Sequence, residues 1–438
     1  VLTAAQIQAL TVLEAAAFLT VQVAALTTSQ IKQLTTEQFQ SFSTAQIVAL
    51  VSSQIAALTD SQIGSLTAPQ LVVLGDDYRK QGSLEFFKVA ALHTDQISWL
   101  HTSQLAVLST AQVAGLSVDQ IKALTASQMP GLTTSQVAAL TTAQVADLSA
   151  TQIAALGTEH VAALTSRQLV ILSSEQVVAL TAPQVSALTT AQIVVLTTSQ
   201  ITALELGDFQ GLSAEQVSAL LTSQVQALTL EEVAALTTAQ MGALTTLQVQ
   251  ALTTAQMAVM ETADLNALSN DQLLYLTSRQ VASLTAGQTA ALGTAQVAVL
   301  STAQLAGLTG EQIVALTTLQ VQNLTTAQVE SLTTAQIAVM EAADVAALTT
   351  TQMLAVTTRQ FGVLSTEQIQ ALTTQQSAIL TTGQFVALST AQVVALQTAQ
   401  VAALSAENIS ALSLDQLTAL ELEDFQSLTT NQVVALTT

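Results

Sequence analysis

Cysteine is absent from the 438-residue chain, which excludes a disulfide framework and thiolate chemistry. Aromatic residues make up 3%, too few for a platform on which nucleobases stack. Eight Lys and Arg stand against 29 Asp and Glu, for a net charge of -21, so duplex nucleic acid and anionic membranes are poor partners. Half the residues are apolar and mean hydropathy is +0.53, yet apolar runs such as Leu71-Val72-Val73-Leu74 stop after a few residues, where a membrane span needs about 20. Phosphate-binding loops, HExxH and GxSxG motifs are missing, as is any plausible nucleophile constellation. The sequence therefore points away from an enzyme and calls for no cofactor.

What fills the chain instead is one unit, Leu-Thr-Thr-Ala-Gln-Val-Ala-Ala. From Leu132 through Leu140 and Leu148 to Leu436, an apolar residue holds every eighth place without a slip. Such a period makes a repeat architecture the first thing to read. With Leu at position 0, Ser or Thr at position 1 and Gln at position 4 form a capping box, as in Thr133/Gln136, Thr141/Gln144 and Ser149/Gln152. The hydroxyl accepts from the backbone N–H of residue 4, and the Gln side chain reaches back to the N–H of residue 1. Each unit thus announces a helix N-terminus. Pro69 and Pro183 fall at position 3, in the first turn, where proline is tolerated. Glu37, Asp95, Asp119, Glu159 and Glu175 share that position, where the helix dipole favours negative charge.

One continuous helix is excluded, because eight residues turn about 800° and the Leu seam would rotate by about 80° per unit. A β-solenoid is excluded because period-two alternation mixes Leu, Thr, Gln and Ala on one face. The reading is an all-α solenoid of very short helices, one per octapeptide, with one irregular insertion. Leu and Val are expected inside, with hydroxyls and amides outside. Helices this short need packing between units to exist.

Three regions follow: residues 1–74 in one Leu register, an insertion over 75–91, and residues 92–438 in a register shifted by two. The insertion gathers Tyr78, Arg79, Lys80, Phe86, Phe87 and Lys88. A locally packed loop and helix is the plainer reading. As aromatics and Arg are enriched at interfaces, Tyr78, Arg79, Lys80, Phe86, Phe87 and the nearby Trp99 are the interface candidates. The chain begins at Val1 in mid-repeat, and a processed product or part of a longer polypeptide is expected.

Four units replace both box residues with acids: Glu205/Asp208, Glu261/Asp264, Glu341/Asp344 and Glu421/Asp424. They read first as acidic caps. As Ca²⁺ ligands they would need further oxygens to reach the usual 6–8, and no metal is assigned to them. His93 and His101 occupy successive cap positions, and two imidazoles alone rarely hold Zn²⁺. His160 replaces a box Gln and reads as structural. Pro130, at position 6, should distort its unit. Asn323-Leu324-Thr325 and Asn408-Ile409-Ser410 match the glycosylation sequon. Lys32, Lys122, Arg167, Arg279 and Arg359 make no obvious patch.

The unit resembles the Thr/Gln/Ala-rich octapeptide repeats of very large secreted or surface proteins of Gram-negative bacteria, over nearly the whole chain apart from residues 75–88. That resemblance implies an extracellular or cell-surface setting and an adhesive or fibrous role. Leu180-Thr181-Ala182-Pro183-Gln184-Val185 also looks like the opening helix of TAL-effector repeats, but the 34-residue period and base-reading loop of those proteins are missing. The function expected is a structural one: a filament or adhesin stalk whose partner is itself, assembling through solenoid ends and Thr/Gln-rich faces. The alternative is an extended scaffold that binds a protein or glycan on a concave face.

Overall fold

A computed structural model describes residues 2–76 and 89–436. Tyr78, Arg79, Lys80, Phe86 and Phe87 lie outside the described residues. Among the described residues fifty-one α-helices follow one another and no strand occurs. The fold falls into two units, Val1–Ala219 and Leu220–Thr438, each built in the same way.

One octapeptide shows how the sequence makes the bend. In the helix Thr134–Ala139, the N-cap Thr133 is extended at φ −83°, ψ 158° and the C-cap Leu140 is extended at φ −56°, ψ 137°. The corner between units is thus two consecutive extended residues, Leu and Thr, and no residue there needs a positive φ. The Val137 N–H donates to the carbonyl of Thr133 at 3.0 Å, and the Leu140 N–H donates to that of Val137 at 3.2 Å. The Gln136 N–H donates to the Thr133 hydroxyl at 3.2 Å, and the Thr133 N–H to the Gln136 side-chain oxygen at 2.7 Å. Five or six helical residues leave most backbone donors without an intrahelical partner, and the box at this corner satisfies two of them. Pro130 breaks the pattern as expected: residues Met129–Gly131 form a 3₁₀ turn in place of an α-helix.

Positions 5 and 8 make the core. Val137 is 0% exposed and Leu140 4% exposed, and this pair recurs in unit after unit. Fully burying each such side chain contributes about 1.5–3 kcal/mol before conformational entropy is subtracted. The helices that pack are three units apart, as Thr134–Ala139 packs on Thr158–Ala163. Side-chain hydrogen bonds reach a helix four units back, from Gln168 to Val137. A coil therefore closes on between three and four octapeptides. Each helix sits over the joint between two helices of the coil before it.

Trp99 is half-buried as the C-cap of Thr94–Ser98. It borders a shallow recess of about 430 Å³ with His101, Thr125 and Gln128. No described helix is long and apolar enough to cross a membrane.

Candidate functional site

The residue that carries most structural information is the Gln at position 4. The composition pointed to exposed amides; the structure buries them. Gln136, Gln168 and Gln400 are each 1–2% exposed. The reason is a second role that the capping box does not require. In Gln168 the side-chain oxygen accepts from the Thr165 N–H at 2.8 Å, while Nε2 donates to the carbonyls of Val137 at 2.9 Å and Leu140 at 2.8 Å. Those carbonyls lie at the C-terminal end of a helix in the preceding coil, where intrahelical donors run out; Val137 also accepts from the Leu140 N–H. The amide thus ties one helix start to another helix end. The same bonds recur from Gln62 to Gln432, spanning 28 and 31 residues within a register and 30 and 33 where Gln96 reaches back across residues 75–91. Together they form a ladder along each unit.

The substitutions at this seat show what it demands. His160, 3% exposed, meets both demands: its Nδ1 accepts from the Gly157 N–H at 2.9 Å, so Nε2 carries the proton toward the Leu132 carbonyl at 2.7 Å. Its expected structural role thus has a definite form. Asn408 is one methylene shorter. It keeps the donor bond to the Leu380 carbonyl at 2.9 Å, but its buried Oδ1 has no partner. The same burial, 1% exposed, removes Asn408 as a glycosylation acceptor in the folded chain, whereas Asn323 is exposed. Glu232 keeps the back bond, accepting from the Thr229 N–H at 2.7 Å, while its buried Oε1 has no partner.

The four acid pairs are not the simple caps that their position suggested. Glu205, Glu261, Glu341 and Glu421 are exposed N-caps whose side chains make no cap hydrogen bond. Asp208, Asp264, Asp344 and Asp424 are buried in the Gln seat. Only Asp424 reaches back to its cap, at 3.4 Å from the Glu421 N–H. The carboxylate cannot donate, so the Leu236 and Leu316 carbonyls lack the side-chain donor that Leu228 and Leu308 receive from Gln256 and Gln336. Burial raises the pKa of Asp208, Asp264 and Asp344 above the ordinary carboxylate range, and the neighbouring Glu adds to the effect in each. Hydrogen bonds from the Thr238 and Thr318 hydroxyls act the other way on Asp264 and Asp344. Burial likewise raises Glu232, against its hydrogen bonds from Thr229. Glu14, at the same position but exposed, is lowered by its hydrogen bonds from Thr11. Residue type and local box are shared, so the surroundings set the opposite directions.

No group of three or more His, Asp or Glu able to hold a metal occurs among the described residues. The His93 and His101 backbone N–H groups donate to the side-chain oxygens of Gln96 and Gln104, and neither imidazole makes a cap bond. The Lys122 ammonium lies 3.6 Å from the Asp147 carboxylate on the surface.

A core of Leu and Val, a capping box at most corners and a ladder between coils define an α-solenoid repeat protein. The ALTTAQ repeat model matches residues 36–68, 89–126, 100–134, 129–166, 151–182, 201–238, 257–294, 290–318, 337–374 and 378–414, well over half the chain. The protein belongs to the ALTTAQ repeat family. No curated protein matches it.

Proposed function

We propose that the protein is a structural element, a filament subunit or stalk segment outside the bacterial cell, that holds its form through stacked coils and assembles with further coils of its own kind. The ladder supports this reading. Every inner coil presents Gln donors on one side and helix-end carbonyls on the other, so one coil edge complements the next. Thr and Ser rows, rather than Gln rows, are the hydrogen-bonding groups left for lateral contacts, because the amides are consumed inside. The work is mechanical, with no catalytic step and no cofactor.

Negative-stain electron microscopy and sedimentation of the purified protein test this. Uniform fibres that lengthen with concentration are expected. Monomers that persist at high concentration would sink the assembly reading. A second reading, a scaffold that binds a protein or glycan, draws on the exposed Val314, Val339, Val363 and Val386. It predicts saturable binding by the monomer that is lost when these four become Ser.

A further inference from the structure

The four Glu-x-x-Asp units behave as a matched set within one chain. Among the described residues, Asp at the ladder seat occurs only where Glu is the N-cap, and Glu is the N-cap only where Asp holds the seat. At Asp344 the seat is 2% exposed and its Oδ2 has no partner. One octapeptide earlier, Gln336 fills the equivalent place with Nε2 donating to Leu305 and Leu308 carbonyls at 3.0 and 2.9 Å. An acid at such a seat places acceptor against acceptor. A neutral carboxyl would not, since its O–H is a donor.

We propose that Asp264 and Asp344 are proton-operated joints: as acids they complete the ladder to the preceding coil, and as carboxylates they open it, so the second unit tightens on acidification. The exposed Glu partner keeps a negative charge beside the seat, which favours the neutral acid inside. Asp264 has Glu261 on its own corner, Glu231 and Glu232 on the helix Leu230–Ala234 four units back, and Asp271 on the next helix; Thr238–Ala243 and Ala286–Ala291, packed on either side, carry no ionisable side chain. Asp344 has Glu341 on its corner, Glu311 on Gly310–Ala315 four units back and Glu367 on Thr366–Gln370 packed beyond it; Thr318–Gln322, packed before it, carries none. Thus every ionisable group around either seat is an acid, and no cation on these elements is placed to hold the seat charged. Ca²⁺ is a poorer occupant, because it needs 6–8 oxygens and no third carboxylate joins either pair.

The pH direction follows from the raised pKa values. The folded chain binds these protons more tightly than the unfolded chain, so stability increases as pH falls from the raised folded values toward the ordinary 3.8 of Asp. Below that value both states are protonated and the gain is complete.

The test compares the full chain with Asp264→Gln/Asp344→Gln, which restores the majority residue at both seats. At pH 7 the double variant should melt higher, by about 2–4 °C per seat. Hydrogen exchange over 309–348, normalised for intrinsic rate, should show wild-type protection falling between pH 4 and pH 8 and variant protection staying flat. Glu175→Gln/Glu215→Gln makes the same change of net charge at exposed positions and should leave the local profile unchanged. A control that flattens the profile equally would attribute the effect to total charge and overturn the proposal. So would a wild-type midpoint at pH 7 that millimolar Ca²⁺ raises while the variant's stays put, because a metal would then fill the seats.

Discussion

Replacing Gln168 isolates the ladder bond from the cap. Its side chain accepts from the Thr165 N–H and hydroxyl and donates to two carbonyls, Val137 and Leu140. Each such bond contributes about 1 kcal/mol net. The Val137 carbonyl also accepts from the Leu140 N–H, so its loss costs less, whereas the Leu140 carbonyl is left unmet. Gln168→Ala should therefore cost about 2–3 kcal/mol of local stability. The chain itself supplies the graded series. Gln168→His, patterned on His160, should stay within about 1 kcal/mol, since both bonds survive. Gln168→Asn, patterned on Asn408, keeps the bond between coils and loses the back bond, at about 1 kcal/mol. Gln168→Glu, patterned on Glu232, should resemble Ala at neutral pH and recover on acidification. Hydrogen exchange of the amides in 137–141 and 165–169 is the suitable readout, because arrays open locally and a single global midpoint averages over units. An Asn variant as damaged as Ala, or a Glu variant without loss at pH 7, would refute the bridging role.

Leu140→Ala removes a core side chain that is 4% exposed and should cost about 2–5 kcal/mol, measured by the same exchange over 137–164. Thr133→Ala removes a cap and should cost about 1 kcal/mol, confined to its own corner. Gly131→Ala should destabilise the 3₁₀ unit, because a Cβ there would lie 2.6 Å from Cβ of Thr102; an unchanged melting curve would show that the coil can give. In a host that glycosylates folded chains, mass spectrometry should find sugar at Asn323 and none at Asn408.

Much of this fold was legible locally. Thr133, Gln136, Val137 and Leu140 foretell a cap, a short helix, two core positions and a corner, because each depends on residues within one octapeptide. The coil size was not legible, since it accumulates from small rotations at successive Leu-Thr corners that no single unit encodes. The burial of Gln was missed because the capping box accounts for the residue without it. A signal was present all the same. Glu caps as well as Gln and suits a helix start better electrostatically, yet Gln prevails. Only a need for a donor explains that preference. The reading of the acid pairs as caps left out the burial of the Asp for the same reason: the seat's second partner lies 28 residues away.

The ladder bonds all run one way, with the donor on the later residue and the acceptor on the earlier one. A chain emerging N-terminus first from a ribosome therefore meets acceptors already in place whenever a new amide arrives. No finished coil has to reopen to admit its successor. Construction can keep pace with delivery, and little unfinished chain is exposed to aggregation at any moment.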